Sequence, residues 1–378
     1  MSAKADPELS MLCEMAHQFA GGELADTCQE NDRFPLAPVF SGVLEKAREV
    51  GFFDLTMPEE LEGGGMDMVA LCLALQTLCR YDASIGGVVF TDALAKEILV
   101  ASADAAALTD VLSREGDALQ SLIAFPSYRD PSEATSLTAV AADGGSYTLI
   151  GDIESVVLAG IASTLVLPAA IEGQDGYSFF TIDLSGSGIT VSSPVVCLGL
   201  RACPAADLSL DGAAARLVGK AGEGAKYFDA AAARMGAAAA AMSLGIMKGS
   251  FEEALEYARQ RRQGGREIVN WSEVRRILAD MAVKTRVADM LVFEAGCAVE
   301  EKEKEWEQSS RAASLVVGQM ACEMTEDGIQ VLGGNGYMED YGQEKRFRDA
   351  RQAQTLLGLV PRRKLEYVRR VVDGESEY

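Results

Sequence analysis

The sequence predicts an α+β fold in three regions: a helical N-terminal domain, an antiparallel β domain in the middle and a C-terminal bundle of tightly packed helices. Apolar residues recur at three- and four-residue spacing from about residue 7 to 120, the period of one helix face. Between about 121 and 217 the texture changes to short β-branched or aromatic runs separated by turn residues. After Gly224 the helical period returns. Domain limits at 1–120, 121–217 and 218–378 follow, and 378 residues suffice for two or three domains and a sizeable core.

Within the N-terminal region a single break stands out, Leu61-Glu-Gly-Gly-Gly65, where three glycines specify a loop. In the middle region, Tyr147–Ile150, Thr164–Leu167, Ser178–Ile182 and Ile189–Val191 read as strands. Asp143-Gly-Gly145, Gln174-Asp-Gly176 and Ser185-Gly-Ser-Gly188 read as the turns between them. No strand–helix alternation of the kind that builds a nucleotide-binding parallel sheet is visible. In the C-terminal region an alanine-rich stretch runs to Arg262, and small side chains let helices approach closely. Val274, Ile277, Leu278, Met281, Ala288, Val292 and Ala295 then share one helix face. The charge run Glu300 to Glu307 reads as a solvated helix end or connection.

The charge balance excludes two classes of partner. With 34 basic against 57 acidic side chains the net charge is −23, which repels nucleic-acid backbones and anionic lipid surfaces. The one dense basic run noted, Arg259 to Arg266, is too short to coat a duplex. The N-terminal residues lack the layout of a signal peptide, and no uninterrupted apolar stretch reaches the ~18 residues a membrane span requires, so a soluble cytoplasmic protein is expected. Eight scattered cysteines without a C-x-x-C pair, and a single histidine, His17, make a metal site unexpected and reduced, buried thiols the simplest reading.

The most specific segment is Ile329-Gln-Val-Leu-Gly-Gly-Asn-Gly-Tyr-Met-Glu-Asp-Tyr341, followed by Glu344-Lys345 and Arg348-Asp-Ala350. Taken alone, Gly333-Gly334-Asn335-Gly336 is a helix C-terminus and turn whose bare amides suit an anionic phosphate. As a whole the string resembles the C-terminal domain of the acyl-CoA dehydrogenases. Val50-Gly-Phe-Phe, Pro58 to Met66, Tyr81-Asp-Ala-Ser-Ile-Gly86, Leu198-Gly-Leu-Arg201 and Arg261-Arg-Gln-Gly-Gly-Arg-Glu-Ile268 are similar to further elements of that family in order and spacing.

The resemblance implies an α-helical N-terminal domain, a β middle domain and a C-terminal four-helix bundle, assembled as a tetramer with FAD lying between two subunits. It also implies that the neighbour supplies the arginine after the first C-terminal helix and the Gln-x-x-Gly-Gly segment to the cofactor's pyrophosphate and adenine. Those positions carry Arg261, Gln263 and Gly265, then Gln330, Gly333 and Gly334. A guanidinium fork and glycine amides are what a diphosphate needs.

The resemblance fails where the family places its chemistry. Family members remove the α-proton of an acyl-CoA with a glutamate as hydride leaves the β-carbon for flavin. Leu357 stands at that glutamate's usual position and Met235 at its alternative one, with Gly236 where an arginine commonly follows. Neither side chain can accept a proton. The β-domain elements that face the flavin are replaced by Ala124 to Ser136 and by Gly151-Asp-Ile-Glu-Ser-Val-Val157, with Ser155 for a tryptophan and Val157 for a threonine. Asp92 falls on the helix that lines the acyl cavity, where burial would raise its pKa, and it is the candidate base or polar recognition group; a solvent-facing or helix-capping position is the plainer reading.

Three functions stay open. The first is a non-catalytic subunit that lends half an FAD site to a glutamate-bearing acyl-CoA dehydrogenase paralogue, with acyl-CoA as ligand and an electron-transferring flavoprotein as a further partner. The second is an FAD-independent lyase, hydratase or hydrolase on the same scaffold, using Asp92 or another carboxylate as acid or base. The third is an inactive homotetramer.

Overall fold

The computed structural model describes residues 7–33, 39–61, 63–112, 121–132, 136–142, 146–302 and 304–373. The expected turn at 143–145 lies outside the described residues, as do Glu62, Glu303 and residues 133–135.

The N-terminal region is helical: α1 (Pro7–Phe19), α2 (Cys28–Asn31), α3 (Val39–Glu49), α4 (Met68–Tyr81), α5 (Ala83–Ala101) and α6 (Ala105–Leu112). Aspartates start the two core helices. Asp67 Oδ1 accepts from Ala70 N at 2.8 Å and Asp82 Oδ1 from Ser84 N at 3.0 Å, each satisfying a first-turn amide. Every residue of α5 from Ala83 to Leu99 is buried, so this helix is packed on all sides.

The middle region is built from β1 (Ile123–Ala124), β2 (Thr138–Ala141), β3 (Tyr147–Val157), β4 (Thr164–Ile171), β5 (Ser178–Asp183), β6 (Ile189–Val191) and β7 (Ala205–Leu217). Strand β4 pairs with β2 on one side and β5 on the other, and β5 also pairs with β7, so β4, β2, β3, β7 and β5 close on themselves. The expectation of a purely antiparallel domain needs correction: β1 and β2 both run parallel to β4. They lie against opposite ends of it, at Thr164–Leu165 and Ala170–Ile171, as two pieces of one interrupted strand, and β3 supplies the long crossover that a parallel pairing requires.

The C-terminal region comprises α7 (Gly224–Gln260), a hairpin of β8 (Arg262–Gln263) and β9 (Arg266–Glu267), α8 (Ser272–Glu301), α9 (Trp306–Leu332), α10 (Gln343–Ala353) and α11 (Val360–Val372). Helix α7 packs against α4, α5, α8, α9 and α10 and is the central post of the molecule. By length and composition α7 could cross a membrane, yet 89% of its apolar window is buried inside the protein. Its small residues set the approach of α9. Ser310 Oγ donates to Ala233 O at 2.6 Å and accepts from Ala237 N at 2.8 Å, and a Cβ on Gly236 would lie 2.6 Å from that hydroxyl. An arginine has no room there.

Two motifs far apart in the sequence meet each other. Leu200 N donates to Asp349 Oδ1 at 2.7 Å, Arg348 Nη1 donates to Leu198 O at 3.1 Å, and a Cβ on Gly199 would lie 2.3 Å from Arg348 O. Lys345 joins Asp349 and Asp82 at 2.7 and 2.8 Å, and Arg348 reaches Asp32 at 2.6 Å. Leu198–Arg201 and Arg348–Ala350 are thus the joint that locks the β domain and N-terminal helices onto α10. All eight cysteines are free thiols, four of them buried and four half-buried, so only half are core thiols as expected.

Candidate functional site

Two concave sites stand at opposite ends of α7. The first is an open cleft of about 660 Å³ formed where α7 ends, α8 begins and α9 ends. It brings together Arg261, Gln263, Gln330, Gly333 and Gly334, five of the six residues expected to hold a diphosphate. Arg261 is held by its backbone: its N–H caps α7 on Tyr257 O and its carbonyl accepts from Ile268 N, both at 2.8 Å. Its side chain is exposed and makes no hydrogen bond or ion pair among the described residues, as is also true of Gln263 and Gln330.

The floor of the cleft is built around them. Trp271 Nε1 donates to Gln263 O at 3.3 Å, while the Arg266 guanidinium lies 3.7 Å over the Trp271 ring. Asn335 Nδ2 donates to the hydroxyls of Tyr257 and Tyr341 at 3.0 and 3.1 Å, which pins the turn after α9. Gly333 takes a φ of +59°, a left-handed turn that opens the helix end, and nothing stands within 4 Å of where a Cβ on Gly333 or Gly334 would be. Gly265 does not line the cleft. It sits at the turn of the β8–β9 hairpin, where its carbonyl accepts from Arg262 Nη2 at 3.2 Å.

The second site is a cavity of about 330 Å³ at the start of α7, bounded by α9, α11 and the loop before α11. Leu357 lines it and is 5% exposed. Met235 is fully buried one turn along α7 from Ala232, which is itself in the wall. Neither base position offers an ionisable group. Five arginines surround the cavity instead: Arg311 from α9 and Arg362, Arg363, Arg369 and Arg370 from α11. Asp229 accepts from both Arg311, at 2.8 Å, and Arg370. Arg362 is paired with Glu366 at 3.0 Å and Asp130 at 3.5 Å. Arg363 donates to Ser314 Oγ and to Gln354 O and has no ion pair among the described residues. Burial, and the Arg311 charge beside it, push its guanidinium down to about 10.

The β-domain segments that were expected to face a flavin are used in the chain's own packing. Phe125 is fully buried, paired with Val157 through backbone hydrogen bonds and stacked on Phe228 of α7 at 6.3 Å. Ser127 Oγ donates to Thr91 Oγ1 at 3.2 Å, and Tyr128 is buried with it. Ser155 occupies a bulge of β3 with φ +57°, its N–H on Asp207 at 2.8 Å.

Asp92 is fully buried and neither faces solvent nor caps a helix. One oxygen accepts from Lys96 Nζ at 2.6 Å and the other from Ile123 N at 2.9 Å. Lys96 in turn reaches Asp54 at 2.7 Å and Phe53 O at 3.1 Å. Burial pushes the Asp92 carboxyl up to about 6 against the pull of Lys96, but both its oxygens are engaged in tying α5 to β1. It does not line the arginine cavity.

The arginines of α11 were not singled out from the sequence. The pairs Arg362-Arg363 and Arg369-Arg370 recur at a seven-residue interval, two helical turns, which would have placed them on one face. Trp271, which shapes the floor of the cleft, carried no such signal because its role depends on contacts made across the fold, whereas Asn335 already belonged to the expected turn.

The order of helices, closed β domain and helices, with an open cleft of about 660 Å³ at the bundle's end, is the architecture to set against known proteins. Residues 6–112 match the acyl-CoA dehydrogenase N-terminal domain and residues 222–359 the acyl-CoA dehydrogenase C-terminal domain. The chain belongs to the acyl-CoA dehydrogenase family. It is 26% identical to the cyclohex-1-ene-1-carbonyl-CoA dehydrogenase of Syntrophus aciditrophicus, over 98% of this chain and 89% of that one. It is also 26% identical to the caffeyl-CoA reductase-Etf complex subunit CarC of Acetobacterium woodii, over 90% and 92%. A chain in the structure of the electron transferring flavoprotein of Acidaminococcus fermentans superposes with a TM-score of 0.88 at 25% identity, covering 96% of this chain and 97% of that chain. Butyryl-CoA dehydrogenase from Megasphaera elsdenii gives 0.86 at 22%, covering 97% and 98%.

Proposed function

We propose that this chain is the non-catalytic subunit of a heteromeric, FAD-dependent acyl-CoA dehydrogenase of the cytoplasm, and that it lends half of an FAD site to a glutamate-bearing paralogue. The contrast between its two ends carries the reading. At the cleft, Arg261, Gln263 and Gln330 are exposed and unengaged among the described residues, beside the open glycines 333 and 334. At the other end Leu357 and Met235 occupy the base positions, and Phe125, Tyr128 and Val157 are buried in packing of their own.

In such a complex Arg261 would clamp the diphosphate bidentately, and the amides of Gly333 and Gly334 would take further phosphate oxygens. Gln263 and Gln330 would bond the adenosine half, and Gly265 would hold the hairpin turn that presents Gln263. The flavin supplies hydride acceptance when bound. The partner's glutamate supplies the base, and the role of this chain is to bind and orient. Relatives named for an Etf complex and for an electron transferring flavoprotein support such a protein as the electron acceptor of the assembly. The lyase alternative loses its named candidate, because both Asp92 oxygens are taken by Lys96 and Ile123.

The test is co-expression with a glutamate-bearing paralogue. Flavin that co-purifies with the pair and is lost on Arg261→Ala supports the reading. A chain that is yellow when purified alone, and bleached by acyl-CoA, contradicts it.

A further inference from the structure

The arginine cavity has no task in that reading, and its chemistry is specific. Five arginines face the three lining carboxylates Asp130, Asp229 and Glu366, with Glu307 3.9 Å from Arg370 as a fourth, an excess of one positive charge in a chain whose net charge is −23. The Nε atoms of Arg311 and Arg370 are buried without a hydrogen-bond partner, although their other nitrogens share Asp229. A buried donor left unmade costs free energy until an acceptor arrives. The Arg363 side chain has only a hydroxyl and a carbonyl, and the Arg369 side chain makes no hydrogen bond or ion pair among the described residues. Apart from Ser132, which accepts from Arg362 Nη2 at 2.8 Å, the remaining walls are apolar or aromatic, among them Tyr177, Phe228, Leu315 and Leu357.

We infer that this cavity binds a small organic monocarboxylate with a ring or short apolar body, its carboxylate on Arg311, Arg363 and Arg370 and its body against Phe228, Leu315 and Leu357. The charge excess and orphaned N–H groups call for an acceptor-only anion, which a carboxylate is. The apolar walls call for a hydrophobic body, which inorganic phosphate lacks. About 330 Å³ lies at the lower end of small-molecule sites and leaves no room for a complete CoA thioester. Leu357 is decisive here. A carboxylate at that position would itself sit among the arginines and compete for them. The replacement that removes the base thereby creates the receptor. This inference is independent of the cleft and of any flavin.

The test titrates the intact chain with benzoate, benzyl alcohol, inorganic phosphate and coenzyme A, by calorimetry and thermal unfolding. Benzoate is expected to bind one per chain and raise the unfolding midpoint. Arg363→Gln and Leu357→Glu should each weaken it about tenfold or more, the loss of one charge-assisted contact or the gain of one competing charge. Arg369→Gln, on the exposed rim, should weaken it less while leaving the unliganded midpoint unchanged, which separates lost binding from lost folding. Benzyl alcohol and phosphate should bind at least about tenfold more weakly than benzoate, since each lacks one of the two features recognised. No benzoate binding, binding unchanged in all three variants, benzyl alcohol equal to benzoate, or coenzyme A binding tighter with the same variant dependence would each overturn the inference.

Discussion

At the scale of single residues, Arg261, Leu357 and Asp92 carry different kinds of claim. Arg261 is exposed and its side chain bonds nothing among the described residues, so Arg261→Ala should leave the fold's stability within about 0.5 kcal/mol. In the complex the same change should weaken flavin binding by about tenfold or more, measured by equilibrium dialysis against FAD. Leu357→Glu restores a carboxylate to the position the family uses for its base, yet Phe125 and Tyr128, in the segment expected to face a flavin, are buried in the chain's own packing. We expect no acyl-CoA dehydrogenation by that variant alone with an artificial acceptor; sustained turnover would show that only the base was missing. Asp92→Asn removes one partner of buried Lys96 and should destabilise the chain by about 3 kcal/mol in urea unfolding. Its effect on a reconstituted complex should follow stability alone, with kcat unchanged.

At the scale of elements, the glycines divide into those that pack and those that open a surface. Gly199 is pressed against the carbonyl of Arg348, so Gly199→Ala must force the β domain away from α10, and a loss of about 2 kcal/mol or more is expected. Gly334 has open space where its Cβ would stand, so Gly334→Ala should fold normally while reducing flavin capture in the complex, because the methyl blocks close approach of a phosphate to the amides. Equal effects of the two changes on thermal unfolding would contradict this division. The long helices and the glycine turn after α9 were legible in the sequence because their periods and turn residues act locally. Strand β7 was not, although at 13 residues it is the longest in the sheet: Ala205 to Leu217 is rich in alanine and aspartate, and its pairing with β3, broken by two register shifts, comes from distant sequence. The parallel course of β1 and β2 escaped for the same reason. The charge run at 300–307 is the helix end and connection expected, with Glu301, Lys302 and Lys304 exposed, except that Glu300 reaches back to Met68 N at 2.8 Å and to Arg234 at 3.3 Å, contacts that only the assembled bundle creates.

At the scale of the whole molecule, the chain keeps the family's frame and divides its sites unevenly between the two ends of α7. The residues of the cleft were legible beforehand because they lie in two short segments with a recognisable order. The arginine cavity was not, since it is assembled from α7, α9 and α11, and its components look in sequence like ordinary charged helix faces. On the proposed reading, the open cleft at Arg261, Gln263 and Gln330 is the half of a cofactor site that another chain of the assembly completes. The measurement that bears on this most directly is the ratio of flavin to protein in the complex purified with its paralogue. The account predicts about one FAD for each pair of chains, falling on Arg261→Ala in this subunit. One FAD for every chain, unchanged by that substitution, would contradict it.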